Sequence, residues 1–421
     1  MSAATDDFRF RSIALPALLP SFLFAIGEGA IIPIIPAVAH SLGAGLAGAG
    51  LIAAMIVVGQ LAGDIPSGWV VAKFGERRSM IGAALVSIVS VVLALLAVNG
   101  AMLGVAIFLL GLAAAVFALA RQAFMTTFVP VHIRARALST LGGAFRGGWF
   151  VGPFVGAAVI ALTGTYQAAF VAHLVCAVAV TVILLVMPDP TGTTKKPDAG
   201  ERFVRAESVG LFRTIWQNRG VIARMGSGIG VVGALRASRM AILPLWAVSI
   251  GLPGSTTALV VGIGAAADFA LFYASGWIMD RFGRLWSVVP SMIGMGLALI
   301  VLSFTHDLAG AVTWYIVITI AMGVANGVGS GIVMTLSADL APRENPAPFL
   351  GAMRFTADAG AAIAPVAVSA VVAVATLSLA TGLVGLVGLA GAAILVRYVP
   401  RYVPHAPRPS APPADAADPL G

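Results

Sequence analysis

Eight ionisable side chains stand in stretches that are otherwise almost purely apolar. Four are acids, Glu28, Asp64, Asp268 and Asp358, and four are bases, Arg146, Arg236, Arg239 and Arg354. A charge is costly to hold away from water, so such residues persist where they pair, carry a proton or meet a charged solute. Burial favours the protonated form of a carboxyl group, and a nearby guanidinium favours the ionised form. A protein that changes the surroundings of such a group can therefore move protons. Glu28 is the first candidate, because no arginine lies within two helical turns of it along the chain. Asp268 is the second, followed by Asp64 and Asp358. Equal numbers of acids and bases point to pairing in a central cavity. Asp358 can pair with Arg354 four residues away, Asp64 could meet Arg354, and Asp268 could meet Arg146 or Arg236. Static ion pairs holding a helical bundle are the alternative to proton traffic. Gln60, Asn326, Trp149 and Trp246 complete the candidates for a solute cavity, the tryptophans because they lie near the charged positions.

Other chemistries lack their parts. The single cysteine, Cys176, has no partner for a disulfide or a metal cluster. No Ser/His/Asp set, metal-ligand spacing or phosphate-cradling loop stands out, and no Walker-type sequence is present to use ATP. These absences argue against an enzyme and against a cofactor. His173 reads as a packing or lipid-side residue, and His40 as a solvated residue at a helix end.

The elements that must position the eight charges are membrane helices. The chain is 59% hydrophobic and 10% charged, with a mean hydropathy of +1.00. A soluble domain carries roughly a quarter charged residues, so too few polar side chains exist to cover a water-facing surface. In lipid every backbone group must bond internally, which leaves helices or a closed barrel, and the apolar runs are long rather than alternating. Runs long enough to span fall at 13–39, 47–72, 79–98, 101–128, 137–163 and 166–187. A second set falls at 220–250, 255–279, 287–305, 309–337, 347–372 and 374–397. The first run is too long for the apolar core of a secretion signal and is kept as a span. The expected organisation is a segment 1–12, a six-helix bundle 13–187, a linker 188–219, a second bundle 220–398 and a disordered tail 399–421.

Arginine and lysine alternate between the gaps. Arg9, Arg11, Lys73, Arg77, Arg78, Arg134, Arg136, the 195–219 loop, Arg281, Arg284, Arg343, Arg397, Arg401 and Arg408 fall on one side. The gaps at 40–46, 98–101, 163–166, 250–255, 305–309 and 372–375 contain neither residue. The positive-inside rule then places both termini and the linker in the cytoplasm, with the protein multi-pass in the cytoplasmic (inner) membrane. It also accounts for the formal charge of +8 without nucleic acid.

The two halves share a register. Ser67-Gly68-Trp69 followed by Lys73-Phe74-Gly75 matches Ser275-Gly276-Trp277 followed by Arg281-Phe282-Gly283, an offset of 208 residues. The same offset relates Pro36 to Pro244, Gly43 to Gly251, Gly143 to Gly351, Arg146 to Arg354 and Gly152 to Gly360. It also carries Glu28 to Arg236 and Gln60 to Asp268. The expected fold is an all-α membrane protein of twelve transmembrane helices in two six-helix pseudo-repeats, with its site where the repeats meet.

These residues resemble the major facilitator superfamily over about 13–397. Its loop signature after the second helix of each half is nearly whole in the second half, as Gly276, Asp280, Arg281, Gly283 and Arg284. The first half carries Gly68, Lys73, Gly75, Arg77 and Arg78, with Ala72 where the acid is expected and Glu76 where a base is expected. The resemblance implies a gating loop that latches the halves together. Gly148, Gly152, Pro153 and Gly156 in the fifth helix resemble the segment typical of drug/proton antiporters. The family's fourth-helix arginine, four residues before a glycine, is replaced by Ile107 before Gly111, and Arg121 lies further along. The resemblance implies a monomeric secondary transporter in membrane lipid, exporting a small molecule by alternating access with the proton gradient as energy source. Proton-coupled uptake of an organic anion or metabolite, and a solute sensor that does not transport, are the alternatives.

Overall fold

The structure, a computed structural model, describes residues 18–128, 131–186, 216, 219–341 and 346–403. Arg9, Arg11, Arg343, Arg408 and the 188–215 part of the expected linker lie outside the described residues, as do the side chains of Arg134 and Arg136.

Among the described residues, twelve helices are long and apolar enough to cross a membrane. In chain order they are α1 (Leu19–Ser41), α2 (Leu46–Phe74), α3 (Glu76–Leu95), α4 (Gly100–Phe128), α5 (Val131–Thr163) and α6 (Ala168–Val186). The second set is α7 (Arg219–Ser249), α8 (Gly254–Arg281), α9 (Leu285–Ser303), α10 (Ala311–Leu340), α11 (Pro346–Val374) and α12 (Leu377–Tyr402). An even number of spans puts residues 18 and 403 on the same side. The sequence repeat is visible in the backbone. Gly43 and Gly251 end α1 and α7 at φ 86° and 72°, and Gly75 and Gly283 end α2 and α8 at φ 80° and 98°. Only glycine takes that conformation without penalty, so these turns punctuate both halves alike.

Several helices depart from the expected runs. α1 tightens to a 3-10 turn at Ile32–Ile34, where Pro33 and Pro36 remove backbone donors. α7 opens with a π turn at Ile222–Gly226. α10 was expected unbroken but is interrupted at Gly329-Ser330-Gly331, with Gly331 at φ 78°. α12 continues through Pro400 to Tyr402, past the expected end at 397.

Inside each half the helices approach through glycine. A methyl group added at Gly148, Gly152 or Gly156 would come within 2.5 Å of the carbonyl oxygens of Phe22, Ile26 and Ala30 respectively. The three glycines thus form the face that lays α5 on α1. Gly360 against Gly230 does the same for α11 on α7, Gly111 against Ile56 for α4 on α2, and Gly323 against Gly264 for α10 on α8.

The halves meet along α2 with α11 and α5 with α8. At the end free of Lys and Arg the contact is tight. A methyl group on Gly50 would lie 2.7 Å from Ser369 Oγ and 2.9 Å from Leu245, and one on Gly254 would lie 2.7 Å from the Tyr166 ring. Toward the basic end the seam is exposed: the side chains of Arg354 and Asp358 are 56% and 39% accessible, and Asp64 is exposed as well. The conformation is therefore sealed at the Arg-free end and open toward the basic end.

Candidate functional site

Glu28 lies in α1 just before its 3-10 turn and is 2% exposed. The indole of Trp149 donates to its Oε2 at 3.3 Å, while Oε1 has no hydrogen-bond partner among the described residues. Trp149 is brought there by the glycine contact of α5 on α1. The positive charge that faces Glu28 comes from Arg121 on α4. Its guanidinium stacks 4.3 Å from the Phe145 ring centroid, with Nη1 unbonded among the described residues. Ile107 does occupy the usual fourth-helix position, yet α4 still delivers an arginine to the acid of α1. Sequence reasoning set Arg121 aside. The signal was present: it is a lone charge inside an apolar span.

The second half gathers its charges around Asp268. Asn326 Nδ2 donates to Oδ2 at 2.6 Å, Arg239 Nη2 lies 3.7 Å from the same oxygen, and Ser330 Oγ donates to Oδ1 at 3.3 Å. Arg146 crosses from α5 to donate to Ser330 Oγ at 3.1 Å, and its guanidinium lies 4.6 Å from the Phe272 ring centroid. Phe150 stacks on Phe269 across the seam at 5.8 Å. Arg236 donates to the Gly329 carbonyl at 2.7 Å, one of the groups freed where α10 breaks, and its Nε has no hydrogen-bond partner among the described residues. Both Arg146 and Arg236 interact electrostatically with Asp268. The close ion pair is nevertheless with Arg239, not with Arg146 or Arg236 as expected. One helical turn on α7 decides which guanidinium faces the acid. Ser330 escaped the sequence reading, although three glycines at 327, 329 and 331 in one span signal an interruption.

The balanced pairing expected from four acids and four bases is not what forms. Among the described residues, Asp268 pairs with Arg239, and Arg354 pairs with Asp358 at 3.4 Å. Asp64 feels the charges of Arg354 and Asp358 without a contact inside 4 Å. These three line the open part of the seam, apart from the buried centre. Counting Arg121, the centre holds four guanidiniums (Arg121, Arg146, Arg236, Arg239) and two carboxylates (Glu28, Asp268). Between the halves lies a cavity of about 30 Å³ bordered by Gly29, Trp149, Pro153, Arg239, Leu243 and Thr319. That is room for about one water molecule, so a solute needs the halves to part. Gln60 lies on α2, where its backbone is approached by Gly111 of α4.

One expectation is corrected. Trp246 is fully buried but packs edge-on against His306, 5.4 Å away beyond the Arg-free end of α9, and not against the charges. Seven residues, two helical turns, carry it from Arg239 to that end. Of the two places read for His173, packing or the lipid side, it takes the first. It is fully buried, bonded to Ser87 Oγ at 2.7 Å, edge-on to Phe24, and occupies the space a side chain at Gly27 would need.

The two loop motifs make matching contacts. Lys73 lies over Trp69 and Phe74, and Arg281 over Trp277 and Phe282. Arg77 donates to the carbonyls of Leu184 and Leu185 at the end of α6, the negative end of that helix. Arg284 donates to Asp339 at 2.8 Å and to Asp280 at 3.3 Å, and the hydrogen bond it gives Asp339 raises its already high proton affinity. Each of these ties, among the described residues, is to the motif's own half. Gly68, Gly276 and Arg78 flank the two turns.

A sequence model of the Major Facilitator Superfamily matches residues 17–365 and again 225–419. Three solved transporters are similar in fold. A POT peptide transporter in complex with sulfate aligns at 14% identity, covering 91% of this chain and 94% of that one, with a TM-score of 0.74. The xylose transporter XylE from E. coli, in an inward open conformation, aligns at 15% identity, 94% and 97% coverage and a TM-score of 0.69. The nucleoside transporter NupG aligns at 13% identity, 92% and 100% coverage and a TM-score of 0.71. A search of curated proteins gave no match.

Proposed function

Because the chain belongs to the major facilitator superfamily, and is therefore a secondary transporter of a small molecule rather than an enzyme, we propose that it couples proton movement to the transport of a small organic anion. The observation that carries this reading is the convergence of Arg146, Arg236 and Arg239 on the single carboxylate of Asp268. Three guanidiniums against one carboxylate leave positive charge for an acidic group of the cargo. Leu243, Val261 and Met240 beside them suit its apolar body. Glu28 is the proton carrier. One of its oxygens is held by Trp149, the other is unengaged, and Arg121 faces it. Approach or retreat of Arg121 as the halves rock would release or bind the proton. Asp268 serves as the internal counter-ion that the cargo's carboxylate displaces from the arginines. The basic end is the cytoplasmic one, so the open seam faces inward.

Export in exchange for protons is the second reading, favoured by Gly148, Gly152, Pro153 and Gly156, which resemble the antiporter segment and set α5 against α1. One assay addresses both. Proteoliposomes carrying a pH-sensitive dye are challenged with organic anions and with lipophilic cations, for wild type and Glu28→Gln. Anion-driven proton movement that Glu28→Gln abolishes is the expected result, and its sign distinguishes co-transport from exchange. Movement with cations alone sinks the anion reading. Unchanged proton movement in Glu28→Gln transfers the coupling role to Asp268.

A further inference from the structure

Outside the transport path, α9 and α12 enclose a groove on the outer surface of the second half, with a volume of about 700 Å³. Its floor is apolar, formed by Ile293, Leu389, Ala393 and Val396, and at the basic end it is closed by Arg397 and Arg401. We propose that this groove binds one anionic phospholipid, its phosphate between the two arginines and an acyl chain along the floor.

Three observations support a lipid over other occupants. First, the arginines are uncommitted. Both are exposed, and among the described residues no carboxylate lies within 4 Å of either. The nearby acids of that end, Asp280 and Asp339, are held by Arg284. Second, the charge sits only at one end of the groove. From Arg401 to Leu389 is twelve residues of helix, about 18 Å, which matches a chain descending from a headgroup toward the bilayer centre. Third, the floor is on a face that stays accessible: Val396 is 50% and Ile293 39% exposed. An arginine in the last turn of a helix suits the helix dipole in any case. That does not explain a second arginine one turn earlier over the same apolar channel. Basic pockets between spans at the cytoplasmic face are suited to anionic headgroups.

The test is native mass spectrometry of the full-length protein in detergent, titrated with phosphatidylglycerol, with phosphatidylcholine of the same chains, or with glycerol phosphate. Wild type should retain phosphatidylglycerol over phosphatidylcholine. Arg397→Gln with Arg401→Gln should weaken phosphatidylglycerol binding about thirty-fold, from two interfacial charges. Ala393→Trp, which fills the channel and keeps both arginines, should weaken it as well. Arg219→Gln, an exposed arginine stacked on Trp216 at the same end, should leave it unchanged. Retention by the double variant, or no effect of Ala393→Trp, overturns the proposal. Displacement of the lipid by an equal concentration of glycerol phosphate means a free phosphate site and overturns it too.

Discussion

Replacing Asp268 tests whether the buried centre is held by its ion pair. The carboxylate and Arg239 are 17% and 6% exposed and 3.7 Å apart. At an effective dielectric near 20 that separation is worth about 4 kcal/mol of Coulomb energy. Asp268→Asn keeps the shape and can still accept from Asn326, but leaves three arginines without their acid, a loss of about 3–5 kcal/mol for a buried pair broken on one side. Arg239→Gln should cost a similar amount. The double variant should cost much less than the sum, with a coupling of about 2–4 kcal/mol. The assay is reversible unfolding in mixed micelles with increasing dodecyl sulfate, followed by tryptophan fluorescence, for the four members of the cycle. Arg354 and Asp358 provide the internal comparison. Their contact is shorter, 3.4 Å, but both side chains are well exposed, so the same cycle there should give less than about 1 kcal/mol. If the two cycles return equal couplings, burial does not set the strength of the pair and the electrostatic reading of the centre fails.

Two further substitutions probe how the helices reach these positions. Gly152→Val should displace α5 from α1, because any Cβ there lies 2.5 Å from the Ile26 carbonyl oxygen. It should lower the melting temperature by several degrees, whereas Gly82→Ala, where space is open, should be neutral or stabilising by up to about 1 kcal/mol. A Gly152→Val protein that melts with wild type would mean that the two helices are not held at that contact. His173→Leu should orphan the buried Ser87 hydroxyl, now bonded at 2.7 Å, at a cost of about 1–3 kcal/mol. Adding Ser87→Ala should recover part of it, and failure of that rescue would show the hydrogen bond to be incidental.

Much of the architecture was legible because lipid leaves the chain few choices. A helix is the only way for an open segment to satisfy its backbone, so apolar length alone located the spans. The offset from Gly43 to Gly251 marked turns that need a positive φ and so reappear in the backbone. What depended on rotation about a helix axis was not legible. Arg236 and Arg239 differ by one turn, and the sequence does not say which faces Asp268. Arg121 and Glu28 are 93 residues apart, and whether the charge of one acts on the other depends on how α4 and α1 are turned. Trp246 shares a helix with Arg239 yet lies at a different depth. The break in α10 sat between these cases: its glycines were readable, but the guanidinium that caps the freed carbonyl comes from α7.

The excess of guanidiniums over carboxylates at the centre has an electrical consequence. With Glu28 and Asp268 ionised, the four arginines leave two positive charges near mid-depth. A potential of 100 mV does about 2.3 kcal/mol of work on each elementary charge that crosses the whole membrane. If rocking shifts the share of the field that falls on each side of the cluster by a tenth, the two end states change in relative energy by about 0.5 kcal/mol. The empty protein would then sense voltage, and an anionic cargo that neutralises the cluster would cancel that sensitivity.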